Sequence, residues 1–199
     1  MNNYSFTDRQ IEIIEAAAKR IDEHGIQDLT IKTLASDLSL SEAALYRHFK
    51  SKNDILLGIL TYFIASTKER LSEIITNEEL SAPDLLKKIF HSQLNTFVNK
   101  PSIVSVIFSE SIFQFNKELS DTVSSLMELM QGNILKIVEK GQRNGQLSKL
   151  INAQIMTTII MGGMRITVVK WKLSGHRTDL IKDGKSVLSG ILKLITTNN

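Results

Sequence analysis

The sequence predicts an all-α protein, and three observations carry that reading. Only two prolines and ten glycines occur in 199 residues, while Leu, Ile, Lys, Glu and Ala recur throughout, a mixture that favours long helices over short strands and tight turns. Apolar residues return at three- and four-residue steps in segment after segment. Several of those segments open on a Ser or Thr preceded by an apolar residue, the pattern of a helix start.

The elements follow in order. From Thr7 to His24, Ile11, Ile14, Ala18 and Ile21 line one face. Thr7 and Gln10 form a T-x-x-Q capping box, Phe6 and Ile11 stand at staple positions, and Gly25 follows where a helix stops. A short helix after Thr30 runs to about Leu38, and another after Ser41 buries Leu45 and Phe49. A cap at Ser51, with Asp54 three positions on, opens a longer apolar helix through Phe63 toward Leu71. "NEELSAPD" ends in Pro83, which suits the first turn of a new helix. Helical patterns then cover about 83–99, 101–115, 118–143, 152–173 and 178–196.

Composition bounds the function. With 42% hydrophobic residues the chain can bury one or two real cores. Cysteine is absent, which removes disulfides, thiolate metal sites and cysteine nucleophiles together. The opening "MNNYSFTDRQ" lacks the basic start and apolar run of a signal peptide, and no apolar run is long enough to span a bilayer. A cytoplasmic protein with no membrane partner is expected. Net charge is +3 and the pI about 9.0, compatible with a nucleic-acid partner without requiring one. Residues 1–53 hold seven Lys or Arg against eight Asp or Glu. Local placement therefore matters more than the total, and "RHFKSK" from Arg47 to Lys52 holds three cations, a histidine and no acid.

Two short helices meeting across Ser39 and Leu40 have the spacing of a helix-turn-helix over about 30–49. A recognition helix must pack one face on its neighbour and offer the other to duplex DNA. Residues 42–49 span about 12 Å, comparable to the major-groove width. With Leu45 and Phe49 inward, Glu42, Ala43, Ala44, Tyr46, Arg47 and His48 remain outward. The small alanines permit close approach to bases, and Tyr46, Arg47 and His48 can donate to phosphates or base edges. Lys52 adds charge at a helix start that already favours phosphate. Spacing alone equally allows a capped helix with a solvated polar face.

The segment from about Thr7 to Leu60, with "LTIKTLASDLSLSEAALYRHFKSKNDIL", closely resembles the DNA-binding domain of the TetR family of transcriptional regulators. Leu45, Tyr46, His48, Phe49, Lys50 and Lys52 stand as the Leu-Tyr-x-His-Phe core followed by Lys-x-Lys. The resemblance implies phosphate contacts near Thr30, Ser41, Tyr46, His48 and Lys52, and base-facing roles near Ile31, Lys32, Glu42, Ala43 and Ala44. The family commonly has glycine where this chain has Ser39, so a serine is expected to take a backbone angle that glycine takes more easily.

The same resemblance implies an N-terminal DNA-binding domain over 7–67 and a C-terminal helical ligand-binding and dimerisation domain over 68–199. It implies a homodimer on double-stranded DNA, released by a small apolar effector. Gly162, Gly163 and Trp171 on the penultimate helix, with Val187, Leu188, Ile191 and Ile195 on the last, suit a four-helix interface between two copies, or core within one chain. Phe90, Phe97, Phe108, Phe113, Met127, Met130 and Met161, with Gln93, Gln131 and Arg165 as polar anchors, are candidate effector residues. At the same spacings they also fit plain core.

Enzymatic chemistry finds no constellation. His24, His48, His91 and His176 lack metal-ligand spacing, "DGKS" at 183–186 follows no strand, and no G-x-S-x-G occurs. Neither cofactor nor metal is expected. The reading is a DNA-binding repressor, not an enzyme. The alternative is a DNA-bound interaction protein of the nucleoid-occlusion type acting on a division protein.

Overall fold

The computed structural model describes residues 6–109 and 116–197. Among these, nine helices and one isolated β-bridge, Leu147 with Thr196, make up the architecture. They are α1 (Asp8–His24), α2 (Ile31–Asp37), α3 (Glu42–Tyr46), α4 (Lys52–Ile75), α5 (Ala82–Asn99), α6 (Pro101–Ile107), α7 (Lys117–Arg143), α8 (Ala153–Leu173) and α9 (Leu180–Ile195). No described helix is long and apolar enough to cross a membrane.

Internal packing divides the chain into two units: Met1–Ser66 with Lys100–Ser125, and Thr67–Asn99 with Leu126–Asn199. This differs from the contiguous segments 7–67 and 68–199. Lys100–Ser125 returns to the first unit because α6 packs on α1.

In the first unit the capping box expected at Thr7 is present in both directions, and Gly25 closes α1 at φ +82°, a backbone angle that L side chains rarely adopt. Ile13, Ile14, Ala17 and Ile21 are buried on one stripe of α1. Ile14 meets α4 at Gly58, where an added Cβ would lie 3.3 Å from its side chain and 3.1 Å from Phe49. At the start of α6, Ser102 is buried. Desolvation pushes the nearby Asp22 carboxyl up to about 6.

In the second unit α9 packs on both α5 and α8. Close approach is made possible by missing side chains. A Cβ on Gly163 would lie 2.8 Å from Ile191, one on Gly184 2.2 Å from Leu94, and one on Gly141 2.6 Å from the Ala82 methyl. Arg70 donates to the Thr67 hydroxyl at 3.0 Å and to the Ser92 hydroxyl at 3.1 Å, tying the end of α4 to α5. Past α8 the chain turns through Gly175 and His176, both at positive φ, and the His176 ring lies over Trp171 with centroids 4.1 Å apart. Desolvation and the neighbouring Lys172 lower the His176 pKa.

Candidate nucleic-acid interface

The recognition element is built by a short chain of local decisions. Thr30 caps α2, its hydroxyl accepting from the Thr33 amide while Thr33 reaches back, a reciprocal box with Thr in place of the usual Glu or Gln. The Leu40 amide then donates to the Ala35 carbonyl at 2.8 Å and closes the turn. Between them Ser39 sits at φ +54°, the left-handed angle expected where glycine is common. Ser41 caps α3, accepting from the Ala44 amide at 3.1 Å.

Beneath this, Leu34, Ala35, Leu45 and Phe49 are buried, with Leu45 fully inaccessible. α3 ends at Tyr46, shorter than the 42–49 expected, because the next amides bond back in a turn, His48 and Phe49 both donating to the Leu45 carbonyl. Thr30, Lys32, Ser41, Glu42, Ala43, Tyr46 and Arg47 are exposed, Tyr46 at 49%, while Ile31, Ala44, His48 and Lys52 are half-buried.

Three supports escaped sequence reasoning. Arg20 of α1 reaches Asp37 at the end of α2, with 2.8 Å from Nη2 to Oδ1, and also bonds Asp28 in the preceding loop. The Asp37 hydrogen bond raises the Arg20 pKa, and Arg20 in turn lowers that of Asp37. Lys52 Nζ donates to the Ile26 carbonyl at 2.8 Å, and burial lowers its pKa. Gln10 Nε2 donates to the His48 carbonyl at 3.4 Å. Lys52 therefore braces the α1–α2 loop, and an ammonium has three donors, so two remain for a phosphate. The partners lie 8, 17, 26 and 38 residues apart, which leaves no periodic trace.

The other expected residues scatter. Phe90, Gln93, Phe97 and Met130 are buried, Met161 is half-buried, and Met127, Gln131 and Arg165 are on the surface. Phe108 belongs to the first unit and Phe113 lies outside the described residues. Of the residues suited to a dimer interface, Trp171, Leu188 and Ile195 are buried within the chain, and Val187 and Ile191 pack against Gly163. Val187 and Ile191 are themselves half-buried. Gly162 is exposed. What α8 leaves uncovered is a different stripe, Ile155, Ile159, Ile166 and Leu173, with Leu194 exposed on α9.

Comparison with known proteins agrees with this architecture. The family profile described as "Bacterial regulatory proteins, tetR family" matches residues 13–59, and the one described as "YsiA-like protein, C-terminal region" matches 59–194. The chain is 22% identical over 180 residues to the fatty acid metabolism regulator protein of Bacillus subtilis (strain 168), covering 90% of this chain and 92% of the relative. It is 24% identical over 157 residues to the nucleoid occlusion factor SlmA of Vibrio campbellii, covering 78% and 80%. The structure of FadR from Bacillus subtilis in complex with stearoyl-CoA shares the fold with a TM-score of 0.79 and 21% identity, covering 92% of this chain and 97% of FadR.

Proposed function

Because the chain belongs to the TetR family of bacterial regulatory proteins, we propose that it is a homodimeric transcriptional repressor, binding a palindromic operator and releasing it on binding a small ligand. The observation that carries this reading is the two-sided character of α3. Leu45 is fully buried behind it, and Tyr46 and Arg47 stand in solvent. That is the arrangement by which a short helix enters a major groove while its neighbours hold the backbone.

Two copies are needed, since one such helix reads only a half-site and paired half-sites lie about 34 Å or a multiple apart. The steps of four and seven residues between Ile155, Ile159, Ile166 and Leu173 place them along one side of α8. A face of that kind on a soluble chain marks an interaction surface, and a second copy of the same face is its proposed partner. Ligand control would act by population shift: an effector that binds better to the state with lower DNA affinity empties the operator. The FadR complex with stearoyl-CoA supports a ligand on this fold.

The nucleoid-occlusion reading is less favoured, because SlmA matches a shorter share of the chain, 78% against 90%. Anisotropy of labelled fragments from the DNA beside the chain's own gene tests the proposal. A salt-sensitive, sequence-selective complex is expected, weakened in Tyr46→Ala at unchanged stability. Equal binding to unrelated fragments overturns it.

A further inference from the structure

On the side of the second unit where α5 and α9 meet, the two helices form a wedge of about 570 Å³. They run antiparallel: Gly184, near the start of α9, lies against Leu94, far along α5, while Thr196 at the end of α9 and Pro83 at the start of α5 both line the opposite end. At the Leu94 end the missing Cβ of Gly184 lets the helices touch, since a Cβ there would lie 2.2 Å from Leu94 Cδ1. The floor is Phe90, Leu94, Leu188 and Leu192, all buried side chains.

Charge is distributed unevenly along this wedge. Lys87, Lys88 and Lys193 crowd the Pro83 and Thr196 end, Lys185 stands alone near the other, and no lining residue is acidic. Lys87 bonds Asp84 at 2.9 Å, but Lys88 and Lys193 have no carboxylate within 4.0 Å among the described residues. Asp84, just outside the wedge lining, offsets Lys87, and its carboxylate also feels Lys88, so Lys193 and part of the Lys88 charge remain for an external anion.

We propose that this wedge binds a single-chain amphiphile with an anionic head, the chain lying over Phe90 and Leu188 toward Leu94 and the head held between Lys88 and Lys193. The volume falls in the range of small-molecule sites, about 300–1,000 Å³. From Lys88 to Leu94 the wedge runs about 9 Å, so the part of an extended chain next to the head lies on this floor and the rest passes beyond it. A protein partner needs about 800 Å² of surface on each side, more than three turns of two helices offer. The site also stays clear of the proposed dimer face: Leu194 follows Lys193 by one residue, about 100° around α9. This deepens the regulatory reading, on which it rests for the ligand's role as effector.

Isothermal titration of the full chain with dodecyl phosphate below its micelle concentration tests the site, with dodecyl maltoside and inorganic phosphate as separate arms. One molecule per protomer is expected, at least about tenfold tighter than either partial ligand. The exposed pair Lys88→Glu with Lys193→Glu should weaken it by about tenfold or more, while Lys136→Glu with Lys149→Glu, also exposed, should not change it. Equal affinity in the Lys88 and Lys193 variant overturns the proposal, as does equal binding of the maltoside or binding to anionic vesicles without binding of the monomer. In a parallel arm, dodecyl phosphate should lower the DNA affinity of the parent chain and not of the reversed variant. A ligand that binds and leaves DNA affinity unchanged overturns the effector role. Should the chain bind no DNA at all, the regulatory reading fails and the titration alone decides the wedge.

Discussion

Replacing Lys52 by methionine keeps the apolar stem and removes the ammonium, and so separates bracing from DNA contact. Nζ donates to the Ile26 carbonyl at 2.8 Å from a half-buried position. A hydrogen bond from a charged donor contributes about 1.5–3 kcal/mol. Partial exposure puts Lys52 at the low end, since water can reach the abandoned carbonyl, leaving a loss of about 1–1.5 kcal/mol. In a cooperative transition for a chain of this size that lowers Tm by about 3–5 °C. Lys50 is exposed, so Lys50→Met should change stability by less than about 0.5 kcal/mol. If each lysine neutralises one phosphate, each variant also lowers the slope of log affinity against log salt by about 0.9. Thermal unfolding by circular dichroism gives the first quantity and anisotropy across a salt series the second. Equal Tm values for the two variants would refute the bracing role.

Further consequences follow from single positions. Ser39→Gly relieves a left-handed backbone costing about 1–2 kcal/mol against about 0.4–1 kcal/mol of added unfolded-state entropy; denaturant unfolding should show a modest net gain, and a loss contradicts the strain. Gly141→Ala gains about 1 kcal/mol of helix propensity but sets a methyl 2.6 Å from the Ala82 methyl, which has no torsion by which to turn away. Overpacking of about 1–3 kcal/mol should therefore prevail and lower Tm, and a raised Tm refutes that packing. Asp22 has its folded pKa raised from 3.8 to about 6, so between those values the folded state holds more of the proton. Stability from this group therefore rises as pH falls through that window and is lost as pH rises. Asp22→Asn should flatten the dependence, and an unchanged pH profile of Tm counts against it. Ile166→Asp should halve the mass seen by light scattering; an intact dimer removes α8 from the interface.

How far the sequence could be read depended on the range of the signal. Helix starts at Thr7 and Ser41 were legible because a cap and its partner lie within one turn. The left-handed Ser39 was legible through resemblance, a serine standing where family members commonly carry glycine. The end of α3 was not, since the amides of His48 and Phe49 share one carbonyl and nothing in "RHF" announces it. The Arg20 clamp on Asp28 and Asp37 joins three loosely spaced charges that in sequence read as solvated surface. The last helices show the limit most clearly. Apolar residues stand on most sides of α8, Ile155, Ile159 and Ile166 as well as Met156, Ile160 and Val168, so which side remains uncovered depends on where α9 lies. Gly163 decided that by admitting Val187 and Ile191, so Trp171 went inside and Ile166 stayed out. The lysine wedge likewise needs the antiparallel register of α5 and α9, which no local pattern records.

Trp171 is the chain's single indole, and it lies against the ring of His176, which holds its left-handed angle in the turn after the helix. Ultraviolet emission therefore reports one spot, the far tip of the helix that carries the uncovered stripe. Protonating the imidazole quenches such a neighbour by charge, and prising the turn apart moves the ring away, so the molecule carries its own lamp at the place where self-association and acidification would both be seen, with no dye attached.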